Sequence, residues 1–176
     1  MNNIEETASL EHEILSPLIQ RSISFLKDDL EIDVISENID IISPKKIKLK
    51  KNTAMLGTGG SIQVLITMGY DDRLLDKIVE AFLEGEEIEE EELEEIQESV
   101  SCEVVNTIVG NALKNPLDGT TLGITPPILI SEAKSLFRQK SSQIASATIK
   151  TEFGEMLLTA IGPKELFSKK LNFKEL

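Results

Sequence analysis

The chain has 176 residues, 40% of them apolar, with 31 acidic residues against 18 basic ones and a formal net charge of −13. That length suits one domain, residues 1–176, around a single hydrophobic core. So negative a surface repels nucleic-acid phosphates and anionic lipid headgroups, and one Tyr, six Phe and no Trp are too few for a base-stacking platform, so neither nucleic acid nor membrane is expected as a partner.

No segment approaches the run of about 18 apolar residues that a membrane span needs, and no export signal opens the chain. Cys102 has no second cysteine to pair with, so a cytoplasmic protein is expected.

From Ala8 to Lys27, the apolar positions Leu10, Ile14, Leu18, Ile19, Ile23 and Leu26 fall on one helical face, which Pro17 is expected to interrupt. Ile32 to Ile42 alternates loosely and reads as a strand. Lys45, Lys46, Lys48, Lys50 and Lys51 interleave with Ile47 and Leu49, the pattern of a solvated edge strand guarded by lysines. A nucleic-acid patch is the weaker reading on so acidic a chain.

Gly57-Thr58-Gly59-Gly60 reads as a hairpin turn, because the segment after it is a strand and no Gly-Lys-Ser/Thr follows to cradle phosphate. That strand is predicted over Ser61 to Thr67. Asp71 and Asp72 then stand at the N-cap and first turn of a helix that runs to Glu84 and stops at Gly85. Ten glutamates lie between Glu84 and Glu98, and without them the net charge would be −3. They lead into a helix predicted from Glu90 to Leu113, ended by the Asn115-Pro116 and Asp118-Gly119 turns. Pro126-Pro127 opens a short strand to Ile130. Ile144 to Lys150 and Glu155 to Ile161 form two more strands, joined around Phe153-Gly154. Helices and strands come in blocks, which predicts an α+β fold with an antiparallel sheet packed on two or three long helices.

The usual chemical constellations are weak. The only histidine, His12, would have to carry any metal site or nucleophile-base pair alone. Cys102 has valines and glutamates around it and reads as a packed thiol. The glutamate run lacks the spacing of a calcium loop and is explained as a solvated helix start.

The helix from Glu90 to Leu113 carries more information. Leu93, Ile96, Val100, Val104 and Ile108 lie on one side, and Cys102, Val105, Val109, Ala112 and Leu113 extend the apolar arc around most of the helix. What remains for solvent is a line of Ser99, Glu103, Asn106 and Gly110, spaced four, three and four. This edge is short, polar and ends in glycine, a shape that lets another surface come close. An ordinary polar stripe would have the same spacing.

Ser99-x-x-x-Glu103-x-x-Asn106, continuing through Gly110-Asn111, resembles the signature of the CheX and CheC family of chemotaxis phosphatases. The order of elements agrees over about residues 60–162, through the Thr151-Glu152-Phe153-Gly154 turn. The resemblance implies a CheC-like fold and hydrolysis of the aspartyl phosphate on a CheY-like receiver domain of a response regulator. It implies that Asn106 orients the attacking water and that Glu103 pairs with the receiver's lysine. Any Mg²⁺ then belongs to the receiver, and the chain needs no cofactor of its own. Ser99 stands where the family accepts Asp or Ser and, with Gly110, is expected to touch the partner. In CheC-like relatives the first helix repeats the signature, whereas here Glu13 is followed by Ser16 and Glu11 by Ile14, so one site is expected, as in CheX. Two other readings stay open: a non-catalytic module that docks a receiver or another signalling protein, and a structural homodimer joined sheet edge to edge.

Overall fold

A computed structural model of the chain describes residues 10–36, 39–60, 63–86, 88–113, 122–130 and 135–163. The predicted turns at Asn115-Pro116 and Asp118-Gly119 lie outside these residues, as does the side chain of His12. Among the described residues, three α-helices, α1 (Leu10–Ser24), α2 (Asp72–Phe82) and α3 (Leu93–Ala112), accompany seven strands. These are β1 (Lys46–Lys48), β2 (Asn52–Gly57), β3 (Leu65–Tyr70), β4 (Ile128–Ile130), β5 (Ser135–Phe137), β6 (Ser142–Thr151) and β7 (Gly154–Pro163). The main sheet is antiparallel in the order β4-β2-β3-β7-β6, and β1 pairs with β5 in a separate two-stranded sheet. The expected α+β architecture is the one observed.

Register and side-chain alternation explain how the layers stack. Ala54, Met68, Leu158 and Ala147 are paired across β2, β3, β7 and β6, and Leu56, Ile66, Ala160 and Ala145 form the next row on the same face. All eight are buried in the main core with residues of the three helices. The alanines let the helices sit close to the sheet: α1 lies against β6 and β7, and α3 against β2, β3 and β4. The opposite face is covered by the small sheet, where Ile47 and Leu136 pack on Ile144, Leu157 and Ile161.

Several elements depart from the sequence expectation. The helix α1 continues through Pro17, and the irregular stretch comes later, in a π-helical turn over Phe25–Asp29. Burial of Ile14, Leu15, Leu18 and Ile19 around the proline outweighs its missing hydrogen bond. The segment from Ile32 to Ile42 is not a ladder strand. Among the described residues it pairs with β6 at two single bridges, Val34 with Thr151 and Ile42 with Ser146. Of the strand expected at Ser61 to Thr67, Ser61 and Ile62 lie outside the described residues; Gln63 and Val64 are not in the strand, which runs Leu65–Tyr70, and Thr58 bonds Val64 at 2.9 Å across the β2–β3 connection. α3 begins at Leu93 rather than Glu90, the preceding glutamates lying in turns.

Lys50 is the exception among the lysines. Lys46 and Lys48 are exposed on either side of buried Ile47, as an edge strand requires. The Lys50 ammonium instead donates to Asp71 Oδ1 at 2.7 Å and Glu155 Oε2 at 3.1 Å. Asp71 occupies the N-cap position of α2 without capping it, since its Oδ2 accepts from the Glu155 N–H at 2.9 Å. This cluster joins the approach to β2, the start of α2 and the β6–β7 hairpin. Burial works against charge on both Lys50 and Asp71, but their mutual hydrogen bonds and attraction win, raising the lysine's pKa and lowering the aspartate's.

Gly154 makes room for this corner. It has φ +130°, and a Cβ there would stand 2.8 Å from Asp71 Cβ. Gly154→Ala is expected to cost about 2–4 kcal/mol, a fall in Tm of roughly 5–15 °C on thermal unfolding. For the Asp71 carboxylate, a lowered pKa means that its contribution is complete above the ordinary carboxylate range and lost as pH falls through the folded value. The stability gap between wild type and Asp71→Asn should therefore be steady from about pH 5 to 9 and close below about pH 4, as urea titrations would show.

Candidate functional site

α3 has a poor sequence for a helix. Ile96, Val100, Val104, Val105, Thr107, Ile108 and Val109 are β-branched and lose side-chain freedom against the preceding turn. Its N-cap, Glu92, makes no side-chain capping bond, although Glu94 and Glu95 sit favourably at the positive end of the helix dipole. Burial supplies the compensation. Val104, Val105, Ile108 and Val109 are fully buried, and Val100 and Ser101 nearly so. The first turns are also tied to α2 by Gln97 Nε2, which donates to Asp76 Oδ1 at 2.6 Å. A helix held by packing on α1, α2, β2, β3 and β4 is a rigid base for whatever its free side carries.

That free side contains the four expected residues. Ser99 and Glu103 are exposed, and Asn106 and Gly110 are half-buried. The solvent-facing band is wider than the single line read from the sequence, because Glu98 and Asn111 are exposed beside it and Thr107 is half-buried within it. Asn106 makes no hydrogen bond with any described residue, so its amide has both donor and acceptor available. The carboxylate of Glu103 accepts from the Thr107 hydroxyl one turn later, at 3.3 Å. Thr107 was not singled out from the sequence, although its spacing of four from Glu103 was the available signal.

The glycine at the end of the band is partly covered from within the chain. A Cβ on Gly110 would meet Ile124 Cδ1 at 3.8 Å, ordinary van der Waals contact, so the fold itself does not require glycine here.

Cys102 flanks the site on its core side, half-buried. Burial, followed by the nearby Glu98 charge, raises the thiol's pKa, so the sulfur is a protonated packing atom rather than a nucleophile. Tyr70, fully buried with its hydroxyl unpartnered, is likewise held protonated by burial and then by the neighbouring Cys102. No group of three or more His, Cys, Asp or Glu among the described residues is arranged to hold a metal ion. No helix among them is long and apolar enough to cross a membrane.

The band is a ridge on the outside of a helix. A cleft of about 470 Å³ lies elsewhere, beside β1 and β5, lined by Lys45, Arg138, Gln139, Lys140, Ser142 and Gln143. Chemistry performed by an exposed carboxylate and a free amide on a ridge suits insertion into a concave partner better than capture of a small molecule.

Comparisons with known proteins agree on the family. The family model described as chemotaxis phosphatase CheX matches residues 52–152, which takes in β2 through β6 and all of α3. No curated protein matches the chain. Among solved structures, a chemotaxis protein CheX from Desulfovibrio desulfuricans superposes with a TM-score of 0.67 at 20% identity, over 84% of this chain and 97% of that one. A CheC-like superfamily protein from Shewanella sp. PV-4 gives 0.65 at 16% identity, over 85% and 97%. The CheX–CheY–BeF3–Mg²⁺ complex from Borrelia burgdorferi gives 0.52 at 17% identity, over 84% and 96%. These likenesses establish a CheC-like fold, and with the family match over more than half its length the chain belongs to the CheX family of chemotaxis phosphatases.

Proposed function

We propose that the protein hydrolyses the aspartyl phosphate of a CheY-like receiver domain, with Asn106 orienting the attacking water and Glu103 pairing with the receiver's lysine. The observation that carries this is the Asn106 amide, which bonds no described residue, one turn from Glu103 on a helix whose opposite side is locked in the core. Family membership supports it, as does the likeness to a CheX found in complex with CheY, BeF3 and Mg²⁺.

The chemistry asks little of the phosphatase. Aspartyl phosphate is an activated mixed anhydride, so the barrier falls chiefly by holding a water in line with phosphorus. Water attacks the phosphorus, the P–O bond to the aspartate breaks, and the receiver's carboxylate leaves with the bonding pair. An amide orients that water without adding negative charge beside the phosphoryl oxygens, as a carboxylate would. Glu103, on the same face at roughly 5–6 Å between Cβ atoms, reaches a cation beside the phosphoryl group. The Mg²⁺ that neutralises the phosphoryl group is the receiver's. In this reading residues 1–176 form one cytoplasmic domain with no cofactor of its own. Among the described residues β4 stands at an edge of the main sheet with Ile128 54% exposed, and an edge-to-edge homodimer would join there.

Asn106→Ala is expected to lower receiver dephosphorylation by about 10²-fold, about 3 kcal/mol of barrier, while leaving thermal stability and receiver binding nearly unchanged. A phosphate-release time course with the phosphorylated receiver and Mg²⁺ tests this: full activity in the variant would remove Asn106 from the chemistry, and no acceleration by the wild-type chain would leave a docking module as the better account. Gly110→Ala separates fold from docking. Replacing glycine in a helix interior without a clash should raise stability by about 0.5–1 kcal/mol, yet weaken receiver binding if the partner approaches Gly110 closely. Calorimetric unfolding and a binding titration measure the two effects independently.

A further inference from the structure

We propose that Thr107 is a positioning residue for Glu103. The inference rests on the phosphatase reading and adds a third member to its site. The Thr107 hydroxyl donates to Glu103 Oε1 at 3.3 Å, across one helical turn. A threonine hydroxyl within a helix commonly bonds the carbonyl four residues earlier, which here is that of Glu103 itself. In this helix it takes the side-chain carboxylate instead.

Two physical consequences follow from that choice. Glu103 is exposed and unbranched, so pairing it with a partner's lysine requires freezing several torsions that solvent otherwise leaves free. Thr107 is β-branched and half-buried, so in a helix its χ1 is limited to two main rotamers, and the one adopted aims the hydroxyl at the Glu103 carboxylate. Held by one oxygen, the carboxylate keeps its second oxygen for the ammonium of the receiver. Glu103, Asn106 and Thr107 then act as one unit, in which Thr107 touches neither the water nor the phosphoryl group.

The role predicts a loss in binding and not in the chemical step. Phosphate release would be measured against receiver concentration for the full chain and for Thr107→Val, Thr107→Ser, Glu103→Ala, Asn106→Ala and the Glu103→Ala/Thr107→Val double variant. Valine keeps the shape and branching while removing the donor, and circular dichroism checks that the helix is retained. Thr107→Val should raise KM about three- to tenfold with kcat within about twofold of wild type. Thr107→Ser, which restores the donor, should recover most of that loss, and Thr107→Val should add nothing once Glu103 is alanine. An unchanged KM in Thr107→Val, a serine variant no better than valine, or the same fold-change in the Glu103→Ala background would each overturn the proposal. Strong defects in Glu103→Ala and Asn106→Ala beside a normal Thr107→Val would reject Thr107 alone. Failure of the wild-type chain to accelerate phosphate release from the receiver would reject the phosphatase reading beneath it.

Discussion

Burial of one whole side of α3 is the constraint on which the site depends. Val104, Val105, Ile108 and Val109 are completely withdrawn from water, and β-branched residues of this kind form a helix reluctantly unless packing rewards them. The helix is therefore formed by the core and inherits its rigidity. Side chains on the one remaining face stand on a base that does not flex, which is what positioning chemistry needs when reacting atoms must be placed to within a fraction of an ångström. A helix with good intrinsic propensity and looser packing would be less suited to that task.

The layers around α3 serve the same end. Alanines at 54, 145, 147 and 160 bring the helical layer down onto the sheet, and the small β1/β5 sheet closes the opposite face over Ile144 and Leu157. At one end of the sheet, Lys50, Asp71 and Glu155 join three chain segments distant in sequence. All three side chains are partly exposed, so the strength of this corner comes less from charge than from geometry. The Asp71 carboxylate also accepts a backbone N–H of the hairpin, and Gly154 leaves the space in which it sits. The corner fixes the start of α2, and α2 in turn holds the first turns of α3 through Asp76 and Gln97.

The net charge of −13 has a more local meaning than its size suggests. Most of the described glutamates from Glu84 to Glu95 are exposed, in turns and the first turn of α3, just before the polar band. Acids are favourable at that end of a helix because they face the positive pole of its dipole. The line itself carries one charge, Glu103, between neutral Ser99 and Asn106, with Glu98 exposed beside it.

The α+β class, the hairpin at Gly154, the long buried helix and the line of Ser99, Glu103, Asn106 and Gly110 along its free side were legible from the residues alone. All of these follow from periodicity, turn residues and local spacing, which one chain displays without a fold. Tertiary structure decided the rest. Whether Ile32 to Ile42 would be a strand depended on what lay beside it, and among the described residues β6 offers it two bridges. Lys50 looked like its neighbouring lysines until Asp71 and Glu155 were brought to it across the fold. Gly110 owes its partial cover to Ile124, fourteen residues further along the chain. The Thr107 contact lies between these cases. Its spacing was visible in the sequence, but which acceptor the hydroxyl would choose, the Glu103 carbonyl or its carboxylate, is a matter of side-chain geometry that spacing does not encode.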